Sequence, residues 1–99
     1  MLYMIVGHDV EDSASRRASA REAHLARIEA LVDEGRLVIA GPLPHIDAPD
    51  PGPAGYAGSL IVAEFESLSD ARGWAEADPY LQSGAWDAVE VQPFRQLLP

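Results

Sequence analysis

Four stretches of the chain have the apolar pattern of β-strands. Their apolar residues lie either on one of the two alternating faces of the strand or on both. The stretches are Leu2 to His8, Arg36 to Pro42, Ser59 to Ser67 and Ala85 to Leu97. In the last of them Val89 and Val91 are expected to point inward, and Pro93 is typical of an edge strand because proline cannot donate to a β-ladder.

The segment SAREAHLARIEALVDEGRL has the period of a helix. Its apolar positions at helical spacing are Leu25, Ile28, Leu31 and Val32. Ser19 followed three residues later by Glu22 has the form of a capping box, so we expect the helix to begin there, with residues 13–18 forming a preliminary turn. Gly35 provides a C-terminal stop.

A second helix is predicted in LSDARGWAEA, where Ser67 and Asp70 again have capping spacing. Its expected inner face consists of Leu68, Ala71, Trp74 and Ala75. Asp78 ends this helix, because the residue before a proline is disfavoured in helical geometry.

The element order is therefore β-α-β-β-α-β, an α+β chain of the ferredoxin-like plan. We expect a four-stranded antiparallel sheet with two helices on one face, in a single domain covering residues 1–99. The first three strands are apolar on both faces, so the second face of the sheet needs a cover. The simplest cover is the same sheet of another copy, which predicts a homodimer of stacked sheets.

One long connection interrupts this plan, from Pro42 to Gly58. Its 17 residues include five prolines and three glycines. Loops of this length are uncommon inside compact domains and are usually functional or disordered.

Composition narrows the possible functions. A net charge of −9 argues against nucleic acid as a partner, since phosphate binding needs a basic face. The seven basic residues are all arginines, and without lysine or cysteine there is no Schiff-base or thiol chemistry. No apolar run is long enough to span a membrane, and the first residues lack the features of a signal peptide, so we expect a cytoplasmic protein.

His24 lies inside the apolar stripe of the first helix. It is either a core histidine bonded to a backbone carbonyl or an acid–base group, and its position alone favours neither. Arg21 is adjacent on the helix surface, and Arg17 is close if the helix extends upstream. A guanidinium there favours the neutral, basic form of the imidazole and can bind a carboxylate through two hydrogen bonds.

Asp78 is the second candidate, because a carboxylate at a helix C-terminus is unfavourable unless it has a partner. A histidine is the obvious partner, although Asp-Pro can also be a simple turn signal. Ser59 and Tyr80 could donate hydrogen bonds in a pocket. The three histidines lack metal-ligand spacing, so we expect neither a metal site nor a cofactor, and the roles of His8 and His45 stay open.

Several motifs together resemble the YciI-like family of the dimeric α+β barrel superfamily. They are RxxHLARI, DEGRLVIAGPLP, DPGPAGYAGS, AEFESL and ADPY, and they cover essentially the whole chain. The resemblance implies a ferredoxin-like protomer, a dimer of stacked sheets and a histidine–aspartate pair as active site. The family's histidine falls on His24 in RxxHL and its aspartate on Asp78 in ADPY.

The resemblance implies proton chemistry beside a carboxylate, since one relative eliminates chloride from a muconate-type diacid and muconolactone isomerases share the fold. The leading hypothesis is a cofactor-free lyase or isomerase acting on a small carboxylate, with His24 and Asp78 as catalytic residues. Arg21, with Arg17, would hold the anion. The alternative is a non-catalytic module that binds a small ligand or assembles with partners. Haem or oxygen chemistry is a third possibility that rests on fold analogy alone.

Overall fold

The computed structural model describes residues 1–99. The strands are β1 (Leu2–Asp9), β2 (Leu37–Pro44), β3 (Tyr56–Glu64) and β4 (Trp86–Phe94), and the helices are α1 (Ala14–Asp33), α2 (Leu68–Glu76) and the short α3 (Pro79–Gln82). The predicted β-α-β-β-α-β order is confirmed, with α3 as an extra turn of helix before the last strand. None of the three helices contains an apolar stretch of the length that a membrane span requires.

The strands form one antiparallel sheet in the order β2-β3-β1-β4. Ile5 in the central strand β1 lies opposite Ile61 of β3 and Val91 of β4. Because β4 is an edge strand, Pro93 costs no ladder hydrogen bond on its outer side, as the sequence predicted.

The main core lies between the sheet and the helices. It comprises Tyr3, Ile5, Leu31, Ile61, Ala63, Phe65, Ala71, Ala75 and Val91. Val89, Leu68 and Trp74 pack against it, so the predicted inward faces of β4 and α2 are confirmed. Burial of each large apolar side chain contributes roughly 1.5–3 kcal/mol.

The other surface of the sheet carries apolar side chains but no helix. Alternation along the strands points Met4 and Val6 away from the helices, together with Ile39, Val62 and Phe94 from the neighbouring strands. We call these five residues the open face. Ile39 is 53% exposed there.

Helix α1 begins five residues earlier than predicted, at Ala14, so the expected capping box at Ser19 is wrong. Ser19 lies in the helix interior and its hydroxyl donates to the carbonyl of Arg16. The serine-to-glutamate spacing also occurs by chance inside helices, and tertiary contacts at Ser13 set the true start. Val32 is 55% exposed, because it lies about 100° around the helix from Leu31.

The end of α2 also differs from the prediction. Ser67 caps its start as expected, accepting from the backbone N–H of Asp70. Asp78, however, is the N-cap of α3, and its Oδ1 accepts from the N–H of Tyr80 at 2.8 Å. A negative charge is favourable at that position, so the expected electrostatic penalty at Asp78 is absent.

The predicted 17-residue loop is shorter in the structure because strand pairing continues into it from both sides. Pro44 of β2 pairs with Tyr56 of β3, which leaves residues 45–55 as the connection. Gly52–Ala54 form a 3₁₀ turn within it. The prolines of β2 are tolerated because β2 is the other edge strand.

A second, smaller core cluster lies beneath the N-terminal half of α1 and consists of Ala20, Tyr80, Ala85 and Trp86. The indole of Trp86 lies flat over Gly7 in β1. A Cβ atom at position 7 would lie only 2.3 Å from the indole ring, so only glycine fits beneath it.

Candidate active site

His24 and Asp78 are in direct contact in the interior of the protein. The Nδ1 of His24 lies 2.8 Å from the Oδ1 of Asp78, and the residues are 5% and 0% exposed. Because the carboxylate accepts, this contact assigns the proton to Nδ1 and leaves Nε2 unprotonated in the neutral ring. Nε2 has no protein partner, and His24 lines a cavity. This arrangement suits a general base.

Two aromatic rings hold the imidazole in place. The ring of Tyr80 stacks on it, with 3.8 Å between centroids and 10° between planes. Trp86 meets it edge-on at 5.6 Å and 86°. Asp78 also caps the helix that carries Tyr80, so the partner of the histidine and its stacking ring are positioned by the same short turn. Such fixed orientation is what catalytic groups require.

The cavity beside His24 lies between α1 and strands β2 and β3, with a volume of about 350 Å³. Arg17, Arg21, Ser59 and Tyr80 line it with His24, so the predicted site residues converge on one space, and Asp78 lies behind the histidine. Apolar walls come from Leu25, Ile28, Leu37, Ala40, Pro42 and Ile61. The arrangement places an unprotonated ring nitrogen and cationic groups beside mostly apolar walls, as in small-molecule sites.

The two predicted anion-binding arginines differ in what they already contact. Arg17 donates to Asp9 through Nε at 2.6 Å and Nη2 at 2.8 Å, and Nη2 also reaches Ser59 Oγ at 3.0 Å. Its guanidinium is therefore largely engaged within the wall of the cavity. Arg21 forms no hydrogen bond or ion pair with the protein, and it is the exposed cation at the cavity.

Asp9 was missed by sequence reasoning. Its carboxylate is 1% exposed, and it accepts from the hydroxyl of Ser13 as well as from Arg17. The partners are eight residues apart across the β1–α1 turn, and no local period connects such positions. Burial alone would lower the pKa of Arg17, but the hydrogen bonds to Asp9 and the negative charge of its carboxylate raise this pKa overall.

Tyr80 is also electrostatically distinct. Burial raises the pKa of its phenol above 10.0, while the charges of Arg17 and Arg21 oppose the rise. The guanidinium carbon of Arg17 lies 4.9 Å from the centre of the Tyr80 ring and 5.0 Å from that of Tyr56. The ring of Tyr80 thus lies close to both a cation and the imidazole.

A wider cleft of about 820 Å³ adjoins the cavity on the side of residues 45–55. Arg17, Arg21, Tyr56 and Tyr80 line both spaces. Tyr56 was not singled out in the sequence, because it fell within the predicted loop. His45 lines only the outer cleft, whereas His8 pairs with Glu90 on the far surface of the sheet.

Known proteins are similar to this chain in sequence, and a solved structure is similar to it in fold. Protein YciI of Escherichia coli O6:H1 is 53% identical over 97 residues, covering 98% of this chain and 99% of that protein. A Haemophilus influenzae protein is 42% identical over the same length.

Among solved structures, the chain is similar to 5-chloro-2-hydroxyhydroquinone dehydrochlorinase from Burkholderia phenoliruptrix AC1100. The structure of that enzyme was solved in complex with 2,5-dihydroxybenzoquinone. The TM-score is 0.80 at 28% identity, covering 96% of this chain and 94% of that one. The model of the YCII-related domain matches residues 1–95. With its ferredoxin-like sheet and its sequence matched almost end to end, the chain belongs to the YCII-related domain family.

Proposed function

We propose that this protein is a cofactor-free enzyme of the lyase or isomerase type, similar to a dehydrohalogenase, acting on a small carboxylate. The observation that carries the proposal is the buried His24–Asp78 pair, whose free ring nitrogen borders a cavity with an unengaged cation, Arg21. The structural neighbour is a dehydrochlorinase, and its reaction class agrees with such a base.

The reaction begins with removal of a proton from carbon. Nε2 of His24 takes the proton from the carbon beside the carboxylate, and Asp78 stabilises the resulting imidazolium through Nδ1–H. Arg21 balances the negative charge that builds up on the substrate, assisted by the charge of Arg17.

The electron pair left on carbon then determines the outcome. In a lyase it forms a double bond as chloride leaves with its own electron pair, and the imidazolium releases its proton to solvent. In an isomerase the same proton returns to another carbon. Both outcomes balance without an external oxidant or reductant.

The walls of the cavity favour a planar substrate. Tyr80 and Tyr56 provide aromatic faces beside the arginines, and the neighbour was solved with a flat quinone. Ser59 and Tyr80 would donate hydrogen bonds to it. Residues 45–55 border the outer cleft, and closure of this connection would exclude water from the reaction.

The test is turnover by purified wild type and variants. The substrates are small carboxylates: a chlorinated muconate-type diacid and an unsaturated lactone acid. We expect His24→Gln to lower kcat/KM by about 10²–10⁴-fold and Asp78→Asn to lower it strongly, with both variants folded. His8→Gln is the matched control, since His8 lies away from the cavity, and it should keep the wild-type rate.

A non-catalytic module predicts a different result. Ligands would raise the melting temperature of wild type and His24→Gln equally, and no substrate would be consumed. Full activity in His24→Gln, or its failure to fold, would remove His24 from the mechanism.

The open face leads us to include a homodimer in the proposal, placed in the cytoplasm. Apolar side chains on the uncovered side of the sheet are matched most simply by the same surface of a second copy.

A further inference from the structure

Behind the His24–Asp78 pair, two buried polar atoms lie near each other without hydrogen-bond partners. They are Oδ2 of Asp78 and Nη1 of Arg27, which are 3.9 Å apart. That distance is beyond hydrogen-bond reach but within ion-pair range, and the carboxylate is 0% exposed. A carboxylate in such a place needs a compensating cation. Arg27 is the arginine within ion-pair range of Asp78. Arg17 instead forms its ion pair with Asp9.

Arg27 is held so that it faces Asp78 rather than the cavity. Its Nη2 donates to the carbonyl of Trp74 at 2.9 Å, and its guanidinium lies 4.4 Å from the centre of the Trp74 ring. It follows His24 by three residues, so one face of α1 presents both side chains toward Asp78. Arg27 does not line the cavity.

We propose that Arg27 is a positioning residue that extends the pair into a His24–Asp78–Arg27 relay. Its positive charge compensates the buried carboxylate of Asp78, whose other oxygen accepts from Nδ1 of His24. The same positive charge opposes the addition of a second proton to the imidazole. Nε2 therefore stays free to accept a proton from substrate. The catalytic meaning of the relay rests on the proposed function, whereas the proton position on His24 is measurable without any substrate.

Other groups around His24 must be included in the comparison. Tyr80 faces it from α3, Arg17 and Arg21 from α1, and Tyr56 from β3, while Trp86 of β4 carries no titratable group. All of them are unchanged when only position 27 is substituted. A difference between wild type and an Arg27 variant therefore reports the charge at position 27.

The experiment is ¹⁵N nuclear magnetic resonance of the histidine side chains at pH 6.5, with the His24 signals assigned by their loss in His24→Gln. The ¹⁵N shifts give the imidazolium fraction of His24 and the nitrogen that carries the proton. We expect Arg27→Met to raise the ratio of imidazolium to neutral imidazole at His24 at least about threefold, because it removes a nearby positive charge. Arg27→Lys, which keeps the charge, should remain close to wild type.

Arg36→Met is the matched control, because Arg36 also donates to a backbone carbonyl, that of Glu64, and stacks on an aromatic ring, Phe65. Loss of stability in both variants with His24 unchanged in Arg27→Met would reduce Arg27 to a packing role and overturn the proposal. If Arg27→Met does not fold, Arg27→Gln replaces it with the same expectation. If neither neutral variant folds, a threefold change in Arg27→Lys overturns the proposal and a wild-type fraction supports it.

Discussion

At the scale of single residues, the environment of each side chain decides its chemistry more than its place in an apolar pattern. His24 occupies a position where a leucine would fit the stripe of α1, yet it stacks on Tyr80 and bonds to Asp78. The surroundings of Tyr80 in turn change the pKa of its phenol. Burial raises the pKa of its phenol above 10.0 in the folded protein, so the free energy of unfolding depends on whether this phenol is neutral.

Tyr80→Phe should therefore change how stability depends on alkaline pH. Between pH 10 and the higher pKa of folded Tyr80, the folded chain binds more protons than the unfolded chain, so the free energy of unfolding falls as pH rises. This contribution is fully present below about pH 10. We expect a shallower fall in Tyr80→Phe than in wild type, measured by urea unfolding from pH 8 to 11.5. Tyr56→Phe, which keeps Tyr80, serves as control, and parallel curves for wild type and Tyr80→Phe would contradict the expectation.

The sequence pointed to the His24–Asp78 pair, which is present and buried in the structure, but not to all of the residues that contact it. His24 and Asp78 were recognisable because a histidine in an apolar stripe and an aspartate before a proline are both locally unusual. Arg27 was detectable in principle from its three-residue spacing to His24, but arginines on helices are usually solvated. Asp9 gave no local signal, because its partner is met only when the strand and helix pack together.

At the scale of elements, one buried ion pair ties three parts of the fold together. Asp9 ends β1, Arg17 belongs to α1, and Arg17 also donates to the carbonyl of Gly58 in β3 at 2.9 Å. The same contacts explain why α1 begins before the apparent capping box, since Ser13 donates to Asp9 at the turn. Local sequence spacing alone could not reveal a start determined by these tertiary bonds.

Asp9→Asn should destabilise the protein by about 3 kcal/mol, because it leaves the largely buried Arg17 without its counter-charge. The measurement is urea unfolding at pH 7. In a double-mutant cycle with Arg17→Met, the two losses should overlap by more than about 1 kcal/mol. Glu34→Gln is the control, since its pair with Arg36 is exposed and should change stability by less than about 0.5 kcal/mol. Additive losses in the cycle would show that the two residues act separately.

At the scale of the whole molecule, the two surfaces of the sheet are covered differently. One surface carries the helices and the site, and the other is the open face. The sequence predicted this asymmetry correctly. The first three strands are apolar on both faces, whereas both predicted helices pack on the same face of the sheet. The sequence alone does not predict the shortened loop, because the pairing of Pro44 with Tyr56 depends on β2 being an edge strand.

The proposed dimer should respond to both apolar and electrostatic changes. Ile39→Glu on the open face should convert it to monomers, whereas Val32→Glu, at a similarly exposed apolar position on α1, should leave it intact. Each chain carries a net charge of −9, so added salt should strengthen association by screening repulsion. Sedimentation velocity at low and high salt measures both effects. A wild-type monomer at all concentrations would exclude the dimer.

The flat contact between Gly7 and Trp86 limits how this site can diversify. The indole lies between the sheet and the ring stack of Tyr80 and His24, so any larger residue at position 7 would displace His24 together with the indole ring. In the proposed enzyme, new substrate preferences would therefore arise where Ala40 and Pro42 of edge strand β2 line the cavity. In a library for directed evolution, position 7 is best left untouched, and diversity belongs on β2 and in residues 45–55.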